Sequence, residues 1–348
     1  MRKIRLQRII TIALVMGIVG GLQSLYDYAT LTSVFSAGTT ELYHFKSALG
    51  FNVISGLSGG LIAALTLNFI DRRFRTKPYY QGMFILISVF MSVWAVRNLV
   101  EGFLLMQMGK PFYFSFDGTD IKNIVFWLLI VLLAYFFLEM NNKFGPGKLQ
   151  KIFFGKFNTP VEEQRIFMFL DLKSSTSIAE ELGGIHYHLF LKKLFADVTA
   201  PILSSKGEIY QYVGDEIVLS WDLDNMRSLE YCIACFFAIE EYLKRESQNY
   251  VSRFGIQPQF KAGAHYGNVV AGEIGIIKRD ITYSGDVLNT TARIQGMCNE
   301  LESSFLISKD LFELHNKSHS HWDFEKKGEI PLKGKKEPME LLGVSLLH

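Results

Sequence analysis

The chain has 348 residues, 49% of them hydrophobic, with 29 Phe against 8 Pro and a formal net charge of +2. That length leaves room for two or more domains. The near-neutral charge gives no bulk electrostatic case for a nucleic-acid partner, and three cysteines make no disulfide framework.

The apolar residues crowd into the first 140 positions. Four stretches, about 8–26, 50–70, 80–100 and 121–139, are long enough to cross a bilayer as helices. Arg2, Lys3, Arg5 and Arg8 lead into the first stretch. A signal peptide would begin this way, but no small-residue cleavage site is evident and three more stretches follow. The loop after the second stretch carries Arg72, Arg73, Arg75 and Lys77, and Lys143, Lys148, Lys151 and Lys156 follow the fourth. The loops at about 27–49 and 101–120 are poor in Lys and Arg. By the positive-inside rule both ends of the chain are cytoplasmic. The expected organisation is a transmembrane domain over 1–140, a juxtamembrane linker over 141–160 and a cytoplasmic domain over 161–348. The lipid bilayer is then a partner, and the location is the inner (plasma) membrane, multi-pass.

Within the spans, Arg97 and Glu101 stand one turn apart near the outer end of the third. They read as an i,i+4 pair that snorkels to the interface, with a sensing role as the alternative. No span contains His, which argues against a histidine-ligated haem. Gly17, Gly20, Gly21, Gly56, Gly59 and Gly60 are small residues that permit close helix packing. Asn141 to Gly147 breaks the fourth helix, and Leu149 to Phe157, basic and apolar, is expected at the membrane surface.

Beyond the linker, charge and apolar character alternate as in a soluble domain. The pattern gives a strand at 165–171, helices over 175–204, strands at 208–213 and 216–221 around a Gly214-Asp215 turn, and a helix at 225–246. Strands around 259–274, a helix at 286–299 and strands near 304–307, 321–329 and 339–346 complete it. The β-α-β-β-α-β order is that of a ferredoxin-like core with additions, so the fold class is an α-helical membrane domain plus an α+β domain. Cys232 and Cys235 form a C-x-x-C within Leu229-Glu230-Tyr231-Cys232-Ile233-Ala234-Cys235-Phe236-Phe237. That is one face of a buried helix, and no second Cys/His pair lies nearby to make a zinc site.

Three motifs carry chemistry. Asp171 ends the apolar run Ile166 to Leu170, and Asp215 sits in Tyr212-Val213-Gly214-Asp215-Glu216. Each lies where a buried strand gives way to a turn. Two such carboxylates suit a pair of divalent ions, which stabilise both oxygens of an in-line phosphoryl displacement. The third motif, Gly285 to Arg293, looks like a turn opening a helix, with Asn289 and Arg293 on one face.

These motifs, in this order, resemble the class III nucleotidyl cyclases over about residues 160–345. The resemblance implies attack of a ribose 3′-oxygen on its own α-phosphorus with release of pyrophosphate. It implies Mg²⁺ or Mn²⁺, two per site, on Asp171 and Asp215, with the Leu172 carbonyl as a further ligand. Amides of Lys173 to Thr176 would cradle the phosphates, with Ser174, Ser175 and Thr176 there and also readable as ordinary N-cap residues. Asn289 would orient the ribose, Arg293 would neutralise the α-phosphate, and Lys335 would contact the terminal phosphates, with Lys333 as the alternate register. The family draws the metals from one subunit and the Asn/Arg helix from the other. A head-to-tail homodimer follows, and the stretch Asn268 to Gly275 resembles the segment near its interface. Base choice falls to Gln211, where adenylyl enzymes usually carry Lys and guanylyl enzymes Glu, and to Thr282. The absence of Glu favours ATP as substrate. The alternatives are a guanylate or mixed-base cyclase and a catalytically inactive signalling scaffold.

Overall fold

The computed structural model describes residues 2–34, 45–73, 78–107, 118–144, 152, 154–223, 227–277, 279–314 and 321–347. The chain divides into two compact units, Met1–Pro146 and Gly147–His348.

The first unit consists of α1 (Arg2–Val34), α2 (Phe45–Arg73), α3 (Tyr79–Gln107) and α4 (Gly118–Phe144). Each contains a stretch long and apolar enough to cross a membrane, the shortest being 22 residues. Many of their large apolar side chains face outward, among them Ile18, Phe84 and Phe137. In water that would be a large unfavourable exposure; in lipid it is the resting state. α1 and α2 approach to backbone contact: a Cβ on Gly20 would meet the Asn52 carbonyl oxygen at 2.1 Å, and one on Gly56 would meet that of Met16 at 2.3 Å. This is the close packing expected of small residues in spans. Gly59 departs from it, since a Cβ there would meet nothing within 4 Å. The side chains of Arg97 and Glu101, and residues 149–151 and 153 of the basic linker, lie outside the described residues.

The second unit runs β1 (Val161–Leu172), α5 (Ser175–Ser204), β2 (Glu208–Val213), β3 (Glu216–Asp222), α6 (Ser228–Arg245), α7 (Ser247–Phe254) and β4 (Phe260–Ile274). It continues with β5 (Asp280–Ser284), α8 (Asp286–Gly296), β6 (Phe305–Ser308), α9 (Lys309–Glu313), β7 (Trp322–Ile330) and β8 (Met339–Leu346). The sheet order is β2-β3-β1-β4-β6-β8-β7, with β5 paired to β4. Its first four strands are the ferredoxin-like core. The fold differs from the sequence expectation in detail. The segment 260–274 is one strand of 15 residues, α8 stops at Gly296, and β5, α7 and α9 are additional.

Strand alternation sorts the side chains onto two faces. Ile166, Met168, Leu170 and Leu172 of β1, with Phe260, Ala262 and Ala264 of β4, are buried in the main core, which also takes Phe190, Leu194, Cys232, Cys235 and Phe236 from α5 and α6. Burial pushes the Cys235 thiol up to about 12, so both cysteines act as inert core residues. The opposite face of the sheet carries Phe167, Val218, Val269 and Val287 in a smaller cluster. Asp171 has the parity of Phe167 and therefore belongs to this second face.

Candidate active site

Asp171 pairs in register with Glu216 of β3 on one side and Lys261 of β4 on the other. Its Oδ2 lies 3.3 Å from the Lys261 ammonium and accepts a 3.1 Å hydrogen bond from Nε2 of Gln295 on α8. Asp215 sits in the β2–β3 turn, where Gly214 takes φ +61°, a conformation that suits glycine. The carboxylates crowd one another. Burial, and then the charge of Asp215, raise the Asp171 pKa against the pull of Lys261. Burial together with Asp171 and Asp215 raises Glu216 to about 7.

The donor set is all oxygen, as hard divalent ions prefer. Two raised carboxyls, Asp171 and Glu216, crowded beside Asp215 make a site that added positive charge would relieve. Among the described residues, no three His, Cys, Asp or Glu side chains converge into a ready-made cage. The fit is to two aspartates completed by backbone oxygen, water or substrate, which is how Mg²⁺ is ordinarily held. Glu216, Lys261 and Gln295 were not singled out from the sequence. Glu216 stands next to Asp215 in the chain, and the other two are brought in by β4 and α8.

The turn after β1 differs from its sequence reading. The Lys173 amide donates to the Gln259 carbonyl at 2.9 Å, and its Nζ bonds Ser304 Oγ at 2.9 Å, so Lys173 is committed to the scaffold and not to a phosphate cradle. Ser174 stands at the N-cap position in the left-handed region, φ 56°, with no side-chain cap bond. Capping is therefore not its role. A non-glycine residue held there stores local strain of the kind found at functional turns. Ser175 and Thr176 open α5, whose first-turn amides have no intrahelical acceptor.

α8 carries the third motif. Val287 packs at Gly267 and Gln295 at Gly263, where a Cβ would meet the Gln295 nitrogen at 2.3 Å, so helix and strand touch through backbone. Residues two apart on a helix point about 160° away from each other. Gln295 reaches its own Asp171, so Arg293 faces the other way, together with Asn289 one turn earlier. Arg293 lies against Gly334, whose Cβ would sit 3.3 Å from the guanidinium. Lys335, next in sequence, pairs with Asp286 at the start of α8 and holds that carboxyl below its usual range. Lys333 is exposed. These contacts form two groups: Asp171, Asp215, Glu216, Lys261 and Gln295; and Asp286, Arg293, Gly334 and Lys335.

A bulge in β2 sets Tyr210 and Gln211 together opposite Val218, so both face the side of the sheet that carries Asp171. The Tyr210 hydroxyl accepts from the Tyr283 amide at 3.2 Å, which links β2 to β5. Thr282, beside Tyr283, has a buried hydroxyl with no partner.

The adenylate and guanylate cyclase catalytic domain profile matches residues 160–342, more than half of the chain. The chain belongs to the adenylate and guanylate cyclase family. It is 39% identical over 176 residues to adenylate cyclase 2 of Rhizobium meliloti, covering 51% of this chain and 48% of that protein. It is 30% identical over 146 residues to adenylate cyclase 1 of the same organism, covering 40% and 22%. It spans about half or less of the length of these relatives. Its fold is also that of a bacterial light-regulated adenylyl cyclase, at TM-score 0.55 and 20% identity over 66% of this chain and 67% of that one. Divalent metals are used across the class III cyclases, and the two aspartates are the residues here that fit them.

Proposed function

We propose that the protein is a membrane-anchored adenylate cyclase that converts ATP to 3′,5′-cyclic AMP and pyrophosphate at two equivalent sites between two copies of the chain. The observation that carries this is the orientation of α8. One face of the helix bonds the chain's own Asp171 through Gln295, while Arg293 points about 160° and Asn289 about 120° away from it. One copy therefore holds two half-sites that do not close on each other, and a second copy in head-to-tail arrangement completes both. The tip of the β4–β5 hairpin supports the same reading, because Ile276 and Ile277 are 90% and 103% exposed there. Bare isoleucines at a hairpin tip suit a surface covered by a partner.

In the completed site, Asp171 and Asp215, with the Leu172 carbonyl, hold the divalent ions. Bound there, two Mg²⁺ or Mn²⁺ ions supply Lewis-acid stabilisation of the attacking and leaving oxygens. The first-turn amides of α5, with Ser174, Ser175 and Thr176, bind the phosphates. From the second copy, Asn289 positions the ribose so that its 3′-oxygen lies in line with the α-phosphorus. The Arg293 fork neutralises the charge that grows on the α-phosphate. Lys335 leaves Asp286 for the terminal phosphates. Gln211 and the unpartnered Thr282 hydroxyl take the base edge, and each has donor and acceptor capacity for adenine. The four apolar helices anchor the enzyme, and the Lys/Arg-rich ends support a cytoplasmic catalytic unit.

The test is cyclic nucleotide formation by full-length protein in lipid nanodiscs, with ATP or GTP in Mn²⁺ and in Mg²⁺. The expected result is cyclic AMP in clear excess over cyclic GMP, with loss of both in Asp171→Asn. Dominant cyclic GMP overturns the base assignment. No product from folded protein overturns the enzyme reading in favour of a scaffold.

A further inference from the structure

We propose that the four-helix unit holds a binding site for a small neutral amphiphile, an apolar body with a hydroxyl head, in the cavity between its helices. The cavity has a volume of about 180 Å³ and draws its walls from all four helices. Trp94 and Trp127 supply large apolar surfaces, and Gln23, Asn52, Ser55 and Asn123 supply the polar atoms. None of the described lining residues is charged, which argues against an ionic ligand.

The polar atoms are gathered at one end. Gln23 Nε2 donates to Asn123 Oδ1 at 2.9 Å, and Asn52 Nδ2 donates to Ser24 Oγ at 2.9 Å. Asn52 and Asn123 lie near the starts of α2 and α4, and Gln23 in the second half of α1. This is the end that bears the α1–α2 and α3–α4 connections, the outer side under the positive-inside reading.

Gln23 is 4% exposed, lines the cavity, and its Oε1 is buried without a hydrogen-bond partner. An orphaned amide atom in an apolar surrounding is costly and needs a partner. A carboxamide offers either an acceptor or, flipped, a donor, and a hydroxyl satisfies both. The apolar body then lies along Trp94 and Trp127, towards Gly59, where the missing side chain leaves room.

The test uses full-length protein in lipid nanodiscs titrated with bromohexanol, a neutral alcohol whose bromine quenches nearby indole fluorescence. Trp221 and Trp322 lie in the other unit and give a constant background. Quenching is expected to saturate. Gln23→Leu removes the unpartnered Oε1 together with the Nε2 bond to Asn123, and is expected to raise the half-saturating concentration about tenfold while the helical content of the bundle, read by circular dichroism, is unchanged. Gly59→Leu fills the cavity and is expected to abolish the saturable component. Gly50→Leu, also in open space but not lining the cavity, should leave it intact. Quenching that rises without saturating, or that is the same in Gln23→Leu and Gly59→Leu as in the parent, reports partition into the bilayer alone and overturns the site.

Discussion

Replacing Arg165 with Met should destabilise the catalytic unit by about 2–3 kcal/mol. Arg165 is 1% exposed in the middle of the sheet. Its guanidinium contacts Glu163 at 3.1 Å, Glu208 at 2.7 Å, Ser220 at 3.1 Å and Asp222, and it stacks 5.0 Å from the Tyr283 ring centre. Removing one member of a buried ion pair ordinarily costs about 3–5 kcal/mol because the other charge is left uncompensated. Here Glu208 and Asp222 are about half exposed and rehydrate, and the methionine recovers some apolar burial, which brings the figure down. In a unit of this size the loss lowers Tm by roughly 5–10 °C.

The sign of the pH effect follows from Glu163. Burial raises its pKa, but Lys156 and Arg165 together outweigh burial and hold it below 4.5. A depressed carboxylate contributes stability above its unfolded pKa, and that contribution is lost as pH falls through the folded value. The gap between parent and Arg165→Met should therefore be full at pH 7 and shrink below about pH 4.5. Scanning calorimetry of the full-length protein in nanodiscs reads it. An unchanged or raised Tm at pH 7, or a gap that widens in acid, refutes the reasoning. Replacing Glu163, Glu208 and Asp222 by their amides in the Arg165→Met background should recover part of the loss.

Three further outcomes are expected. Gln295→Leu removes the hydrogen bond that steadies Asp171, and the Mn²⁺ concentration for half-maximal activity should rise about tenfold with little change in the KM for ATP. Gly263→Ala drives a methyl into the backbone of α8, and should cost about 1–3 kcal/mol in chemical denaturation and lower kcat together with stability. Gln211→Glu places an acceptor where guanine offers donors, and should raise the ratio of cyclic GMP to cyclic AMP about tenfold in a competition assay.

Much of this architecture is legible in the chain because burial and periodicity agree. The run Ile166 to Leu170 reads as a strand since its even positions enter the core, and the four long apolar stretches read as spans by length alone. What escapes is what depends on partners far away in sequence. β1 starts at Val161, four residues before the reading from sequence. Val161 to Gln164, rich in polar side chains, fall before the expected strand, and only cross-strand Glu208 and Asp222 make the burial of Arg165 tolerable. β5 is missed because Asp280 to Ser284 is short and is defined by pairing to the far end of β4. In the site, the aspartates stand out because a carboxylate ending an apolar run is conspicuous. Lys261 and Gln295 sit 90 and 124 positions from Asp171 and look like ordinary surface residues until β4 and α8 deliver them. The serines after Asp171 mislead in the opposite sense. Their composition suggests a cap, but the left-handed turn at Ser174 points the chain elsewhere.

The central claim is that each site takes its aspartates from one copy and its Asn/Arg face from another. The most direct test mixes two inactive full-length variants, Asp171→Asn and Arg293→Ala, and measures cyclic AMP formation after co-expression. A head-to-tail dimer gives each mixed pair one intact site, so activity should return to about a quarter of the parent's when the chains pair at random. If the mixture stays as inactive as either variant alone, while co-purification shows that the two chains do associate, both halves of the site act within one chain and the account is contradicted.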